Sequence, residues 1–188
     1  MSSTSRFGLE PAPDGLGLVQ DLVNTRPVPA YDVPDLLGTV AQAQRWTSTA
    51  VRAWQDVSRA TGGVRRIGSA DLVRLRRLRH DVERLVSGAD PVDVRPVPAS
   101  LAVDVTGVVR LQPTGTGVRW LVSAVWGEVL LAQRDGRWDR LKVCRNPHCP
   151  CAFYDRSRNN SRVWHDVRTC GNVANLRASR ARRKGDTA

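Results

Sequence analysis

All four cysteines of this 188-residue chain, and two of its three histidines, fall between Cys144 and Cys170 in CRNPHCPCAFYDRSRNNSRVWHDVRTC. Cys144 and Cys149 form one close pair, and His165 and Cys170 form another. Four residues lie inside each pair and fifteen lie between them. Thiolate and neutral imidazole are the usual donors of tetrahedral zinc, and two short-range pairs closed by a loop suit that geometry. Each pair turns back on itself and offers two ligands from one side. The spacing therefore predicts one structural Zn2+ held by Cys144, Cys149, His165 and Cys170. His148 adjoins Cys149, and neighbouring side chains rarely face one ion, so it is placed outside the shell. Cys151 is an alternative to Cys149. A catalytic zinc is disfavoured, because a closed four-ligand set has no open position for water.

The charge around these residues is uneven. Residues 1–133 carry a balance of +2, and residues 134–188 carry +9 of the total +11. A localised positive field attracts polyanions and speeds their encounter, whereas a merely solubilising tail is the bland reading of the same charge. Arginine makes up 27 of the 29 basic residues, but a GC-rich genome would do the same, so the ratio decides nothing. No run of eighteen apolar residues is present, and the start, MSSTSRFGLEPAP, lacks the apolar stretch of a secretory signal. A cytoplasmic protein with reduced thiols is the expectation, and there clustered cysteines mean metal more often than disulfide.

The elements that must position the cluster are read from periodicity. Residues 1–13 are expected to be disordered. Residues 14–135 read as an α-rich domain with a β-hairpin, and 136–188 as the zinc finger with its basic tail. Leu16, Val19, Leu22 and Val23 share a helical face that ends before Pro27. A second helix is expected from Asp32 or Pro34 with Leu36, Leu37 and Val40 inward, and a third over Thr47–Arg59. The strongest helix starts after Ser69 as N-cap, with Leu72, Leu75, Leu78, Val82 and Leu85 at threes and fours. After a proline-rich connector at 88–100 the period becomes two. Leu101 to Leu111 reads as a strand with Gly107 as a bulge, and Val118, Trp120 and Val122 as its partner. A short helix from Ser123 follows. The fold class is therefore α+β: a helical N-terminal domain with a hairpin, then a small finger ending in a basic helix.

No enzyme signature stands out in residues 1–143. Gly62-Gly63 lacks the flanking pattern of a phosphate loop, and Gly115 and Gly117 sit in an expected turn. His80 is a lone histidine on a helix, where a surface or core role is the default over catalysis. Asp21 and Asn24 share a helical face and could line a pocket, but a cap or surface role is the default.

The run from Phe153 to His165, with its SRN…SR…W core, followed by Cys170-Gly171-Asn172, resembles the CGNR zinc-finger family. That family carries a C-x4-C pair, a segment of the type FxDxSRNxSRxWC, and CGNR opening a basic helix. The resemblance covers residues 144–184. His165 stands where the family has cysteine, and Val173 where the signature has arginine. Upstream, LVQDLVNTR resembles the N-terminal domain of stress-induced transcription regulators that is paired with this finger. The resemblance implies zinc binding, and DNA binding in bacterial transcription control.

On this reading the candidate nucleic-acid contacts are Arg156, Arg158, Asn159, Arg162 and Arg168 in the zinc-held loop. Arg177, Arg180, Arg183 and Lys184 join them on the helix after it. Arginines on phosphates give affinity, and asparagine or arginine on base edges gives sequence choice. Duplex DNA is the expected partner. RNA or a protein partner is the alternative for the finger. A small-molecule effector, a homodimer contact or an enzymatic site are the alternatives for the N-terminal domain. A redox-sensitive thiol at Cys151 is a lesser option.

Overall fold

The computed structural model describes residues 2–29, 32–89, 96–149, 151–172 and 176. The helices are α1 (Leu16–Val23), α2 (Val40–Ser58), α3 (Ser69–Val86) and α4 (Val118–Arg134). The strands are β1 (Ala99–Val103) and β2 (Val109–Pro113), then β3 (Leu141–Val143) and β4 (Ala152–Tyr154). They form two separate two-stranded antiparallel sheets, β1–β2 and β3–β4. The architecture is α+β, as the periodicity predicts.

Helix α1 lies at the centre because it is apolar almost all round, and such a helix must be buried. Seven of its eight residues are buried. It packs against α2, α3, α4 and β4. Leu22, Leu75, Leu78, Leu121 and Val125 meet in one core that also takes in Leu141 and Ala152 from the second hairpin. Each such side chain contributes roughly 1.5–3 kcal/mol through burial. Trp54 and Trp120 meet edge to face, centroids 5.6 Å apart, and join α2 to α4.

Several expectations are corrected. Residues 2–13 are folded onto the core rather than disordered. Ser3, Thr4 and Ala12 are buried, and the Arg6 guanidinium donates to the carbonyls of Pro34, Asn24 and Arg26. The polar sequence hides this, because the order comes from hydrogen bonds to distant backbone. The second and third expected helices are one helix, α2. It starts at Thr39, whose hydroxyl accepts the Gln42 N–H at 3.2 Å, and Thr47 lies buried inside it. Gly68, not Ser69, caps α3.

The alternating run 101–111 is two strands folded about Asp104–Val108. The Asp104 carboxylate accepts the N–H groups of Thr106 and Val108, and Gly107 (φ 81°) sits in that turn rather than in a bulge. Residues 118–122 are the first turns of α4, not a partner strand. Val118, Leu121, Val125 and Val129 are its buried stripe, and that longer period outweighs three local alternations. Among the described residues no helix is long and apolar enough to cross a membrane.

Candidate metal centre

The β3–β4 hairpin carries the first half of the centre. Its register pairs Leu141 with Tyr154 and Val143 with Ala152. The ladder then continues one step, the Cys144 N–H donating to the Cys151 carbonyl at 2.9 Å. Between them the chain turns tightly, with the Cys149 N–H on the Asn146 carbonyl at 2.8 Å. Asn146 is 2% exposed. Its Oδ1 accepts the His148 N–H at 3.1 Å, and its Nδ2 donates to Cys170 Sγ at 3.2 Å. One side chain thus shapes the first knuckle and supports a thiolate of the second.

Asp155 and Lys142 organise the loop between the knuckles. Asp155 is fully buried. It accepts the Ser157 N–H at 2.9 Å, the Arg162 N–H at 2.8 Å and the Lys142 ammonium at 2.8 Å. Lys142 also donates to the carbonyls of Asn160 and Arg162. Burial works against the Asp155 charge, but Lys142 and these N–H donors hold its carboxyl well below the usual range. The chain then makes a single π turn, Val167–Gly171, capped by Asp166 through the Arg168 N–H at 2.8 Å. Gly171 sits there in close approach to its neighbours. A Cβ would stand 3.0 Å from the Trp164 ring and 3.3 Å from Val167. Trp164 packs on the cysteine cluster together with Phe7 and Leu9.

These supports bring Cys144, Cys149, His165 and Cys170 together, their ligand atoms all within 4.8 Å of one another. All four are buried, and none of the chain's cysteines is in a disulfide. His165 Nδ1 is 3.6 Å from Cys149 Sγ. A zinc tetrahedron with bonds of about 2.0–2.3 Å has edges of roughly 3.3–3.8 Å, so only small closure is needed. Without metal, a proton shared with Cys149, followed by burial, pushes the Cys144 thiol up to about 11. The Cys149 thiol is also pushed up, by its contact with Cys151 and by burial, against the opposing pull of Cys144. Packed thiols with no cation are reluctant to ionise, and a divalent ion removes that obstacle. The donor set fits one structural zinc ion with no open position. Cys151 is buried beside the set but outside it, so the alternative ligand pairing falls away. His148 is exposed, outside the shell as expected.

The candidate nucleic-acid residues divide into two groups. Arg158, Asn159 and Arg168 are exposed. Arg156 donates to the Pro11 carbonyl at 2.7 Å, pairs with Glu10 at 3.5 Å and lies over the Tyr154 ring. Arg162 donates to the His165 carbonyl at 2.6 Å and lies over the Phe153 ring. These two support the loop. Arg177, Arg180, Arg183 and Lys184 lie outside the described residues. Arg145, exposed inside the first knuckle, is an addition, because its isolated position in the sequence does not single it out.

Asn24 is the C-cap of α1, as one of the two expected roles has it, but neither Asn24 nor Asp21 is a surface residue. The Asn24 amide pairs with β4 as a strand would. It donates to the Ala152 carbonyl at 2.9 Å and accepts the Ala152 N–H at 2.8 Å. Gln20 donates to the same carbonyl at 3.2 Å. Asp21 accepts the Thr4 N–H at 2.9 Å and the Trp46 indole N–H at 3.0 Å. The only sequence signal was polar residues on a helix otherwise apolar all round.

The fold of residues 141–171 and its three-cysteine, one-histidine set define a structural zinc finger. The family model described as the CGNR zinc finger matches residues 140–183, so the chain carries a finger of that kind. No curated protein matches the chain.

Proposed function

We propose that the protein binds duplex DNA through this finger and regulates transcription, with residues 14–135 as its regulatory part. The observation that carries the reading is the placement of charge. The zinc-held loop turns Arg145, Arg158 and Arg168 to solvent, while of its two acidic residues Asp155 is buried and neutralised by Lys142 and Asp166 is half-buried as the cap of the π turn. The segment 134–188 holds +9 of the chain's +11. Phosphate contacts by such arginines would give affinity and orientation, and Asn159 beside them offers an amide suited to an adenine edge. Arg177, Arg180, Arg183 and Lys184 would extend the same basic surface. A closed zinc shell supports a binding role rather than a catalytic one.

The test is binding of the zinc-loaded chain to random-sequence duplex DNA across a salt series. Affinity should fall linearly on logarithmic axes, with a slope of about 0.9 per phosphate contact. Arg158→Ala and Arg168→Ala should each lower that slope by about one contact. Chelation should abolish binding. Salt-independent binding to DNA, or tighter competition by single-stranded RNA, would defeat the proposal.

A further inference from the structure

A cleft of about 730 Å3 lies between α2, the segment 62–66 and the start of α4. Small-ligand sites usually span about 300–1,000 Å3. No residue of the finger lines it. Arg52, Arg65 and Arg66 border it, and no carboxylate does. None of the three pairs with an acidic group among the described residues. The wall therefore carries three permanent positive charges, on exposed side chains, with no paired carboxylate among the described residues.

Helix α4 opens onto the same wall at Gly117 without a side-chain cap. The amides of a helix's first turn have no intrahelical partner, and its dipole adds positive potential there. The neighbouring wall is bare backbone. Gly62 has φ 98° and Gly115 φ 87°, and a Cβ on Gly62 would stand 2.7 Å from Trp120 Nε1.

Trp120 supplies a second, independent sign. It lines the cleft and is only 3% exposed. Its indole N–H has no hydrogen-bond partner among the described residues. Trp46 and Trp54 donate to Asp21 and Glu128, whereas the enclosed Trp126 N–H, away from the cleft, has no partner among the described residues. The Trp120 N–H is not enclosed in this way, so it opens on solvent-accessible space, where an indole donor takes an acceptor. The space that Trp120 lines is this cleft, bordered by the three arginines and flanked by Val51 and Val64.

The geometry points to a binding site for a small organic phosphate. Its phosphate meets the arginines and the α4 amides, and its ring or apolar body meets Val51, Val64 and Trp120. The inference rests on the reading of residues 14–135 as the regulatory part, and gives that part a ligand class.

Calorimetric titration of the full-length, zinc-loaded chain with phenyl phosphate, AMP, benzoate and inorganic phosphate tests this. Phenyl phosphate or AMP should bind saturably, one per chain, at least tenfold tighter than inorganic phosphate or benzoate. The double variant Arg65→Ala/Arg66→Ala should weaken that binding at least tenfold, with zinc content and circular dichroism unchanged. Arg52→Ala, on the exposed face of α2, provides the same readout should the double variant misfold. No saturable heat from any probe overturns the inference, as does tighter binding of benzoate. Undiminished binding by the arginine variants overturns it too. If the variants instead lose only duplex-DNA affinity and salt slope, the wall is a nucleic-acid contact and the inference fails. Duplex DNA measured on the same samples separates the two readings. Intact DNA binding without phosphate binding sinks only this inference, and the reverse sinks only the proposed DNA role.

Discussion

Replacing Asn24 by alanine isolates the joint between the helical layer and the zinc hairpin. The Asn24 amide makes two hydrogen bonds to Ala152, which is fully buried between Cys151 and Phe153. In Asn24→Ala the Ala152 carbonyl keeps a partner in Gln20 at 3.2 Å, but its N–H loses the Asn24 acceptor. An orphaned buried N–H costs about 1–3 kcal/mol, and the second lost bond adds about 1 kcal/mol. The expected loss is therefore about 2–4 kcal/mol, a large share of the 5–15 kcal/mol typical of a whole domain. Urea unfolding of the zinc-loaded protein measures it, and zinc release to a chromophoric chelator shows where it falls. Because Ala152 is one residue from Cys151 and three from Cys149, release should quicken in the variant. Thr4→Val, which removes only the Asn24–Thr4 bond at 3.1 Å, should cost less than about 1 kcal/mol. A loss below about 0.5 kcal/mol in Asn24→Ala, or an unchanged release rate, would refute the claim that α1 and the finger hold each other.

Single serine replacements at Cys144, Cys149 or Cys170 should abolish stoichiometric zinc by metal analysis, whereas Cys151→Ser should keep one equivalent. Zinc affinity, measured by chelator competition, should rise with pH through the neutral range and binding should release protons, because the metal-free thiols of Cys144 and Cys149 are held up by shared protons and burial. Asp155→Asn leaves Lys142 facing a neutral amide. Breaking a buried pair costs about 3–5 kcal/mol, and Lys142 is a quarter exposed, so about 2–3 kcal/mol is expected in denaturant melts. The folded Asp155 carboxyl lies below its unfolded value, so its stabilisation is present above about pH 4 and is lost as pH falls further. Wild-type stability should drop over that range, and the variant should lack this component.

The zinc donors were legible because a metal knuckle is local chemistry. Two ligands with four residues between them meet through local chain geometry, and the donor types name the ion. The supports of the knuckle were legible only in part. Lys142 on β3 and Asp155 just past the end of β4 stand thirteen residues apart, and their bond becomes visible only once the hairpin register is known. Helix α4 was misread at its start because Val118, Trp120 and Val122 alternate over too short a window to reveal the longer period. The folded N-terminal segment escaped because its order rests on Asp21, Gln20 and backbone carbonyls far along the chain.

What the order of residues determined alone is the identity of the finger and its ion, along with the concentration of positive charge around it. These depend on side-chain chemistry and on contacts within 27 residues. What only the tertiary structure decided is the company the finger keeps: α1 paired to β4 through Asn24, Asp155 buried under the loop, and three arginines gathered at the head of α4. Each joins groups from different segments of the chain. Such groups come together only when burial of the common core compensates the entropy of closing the loops between them.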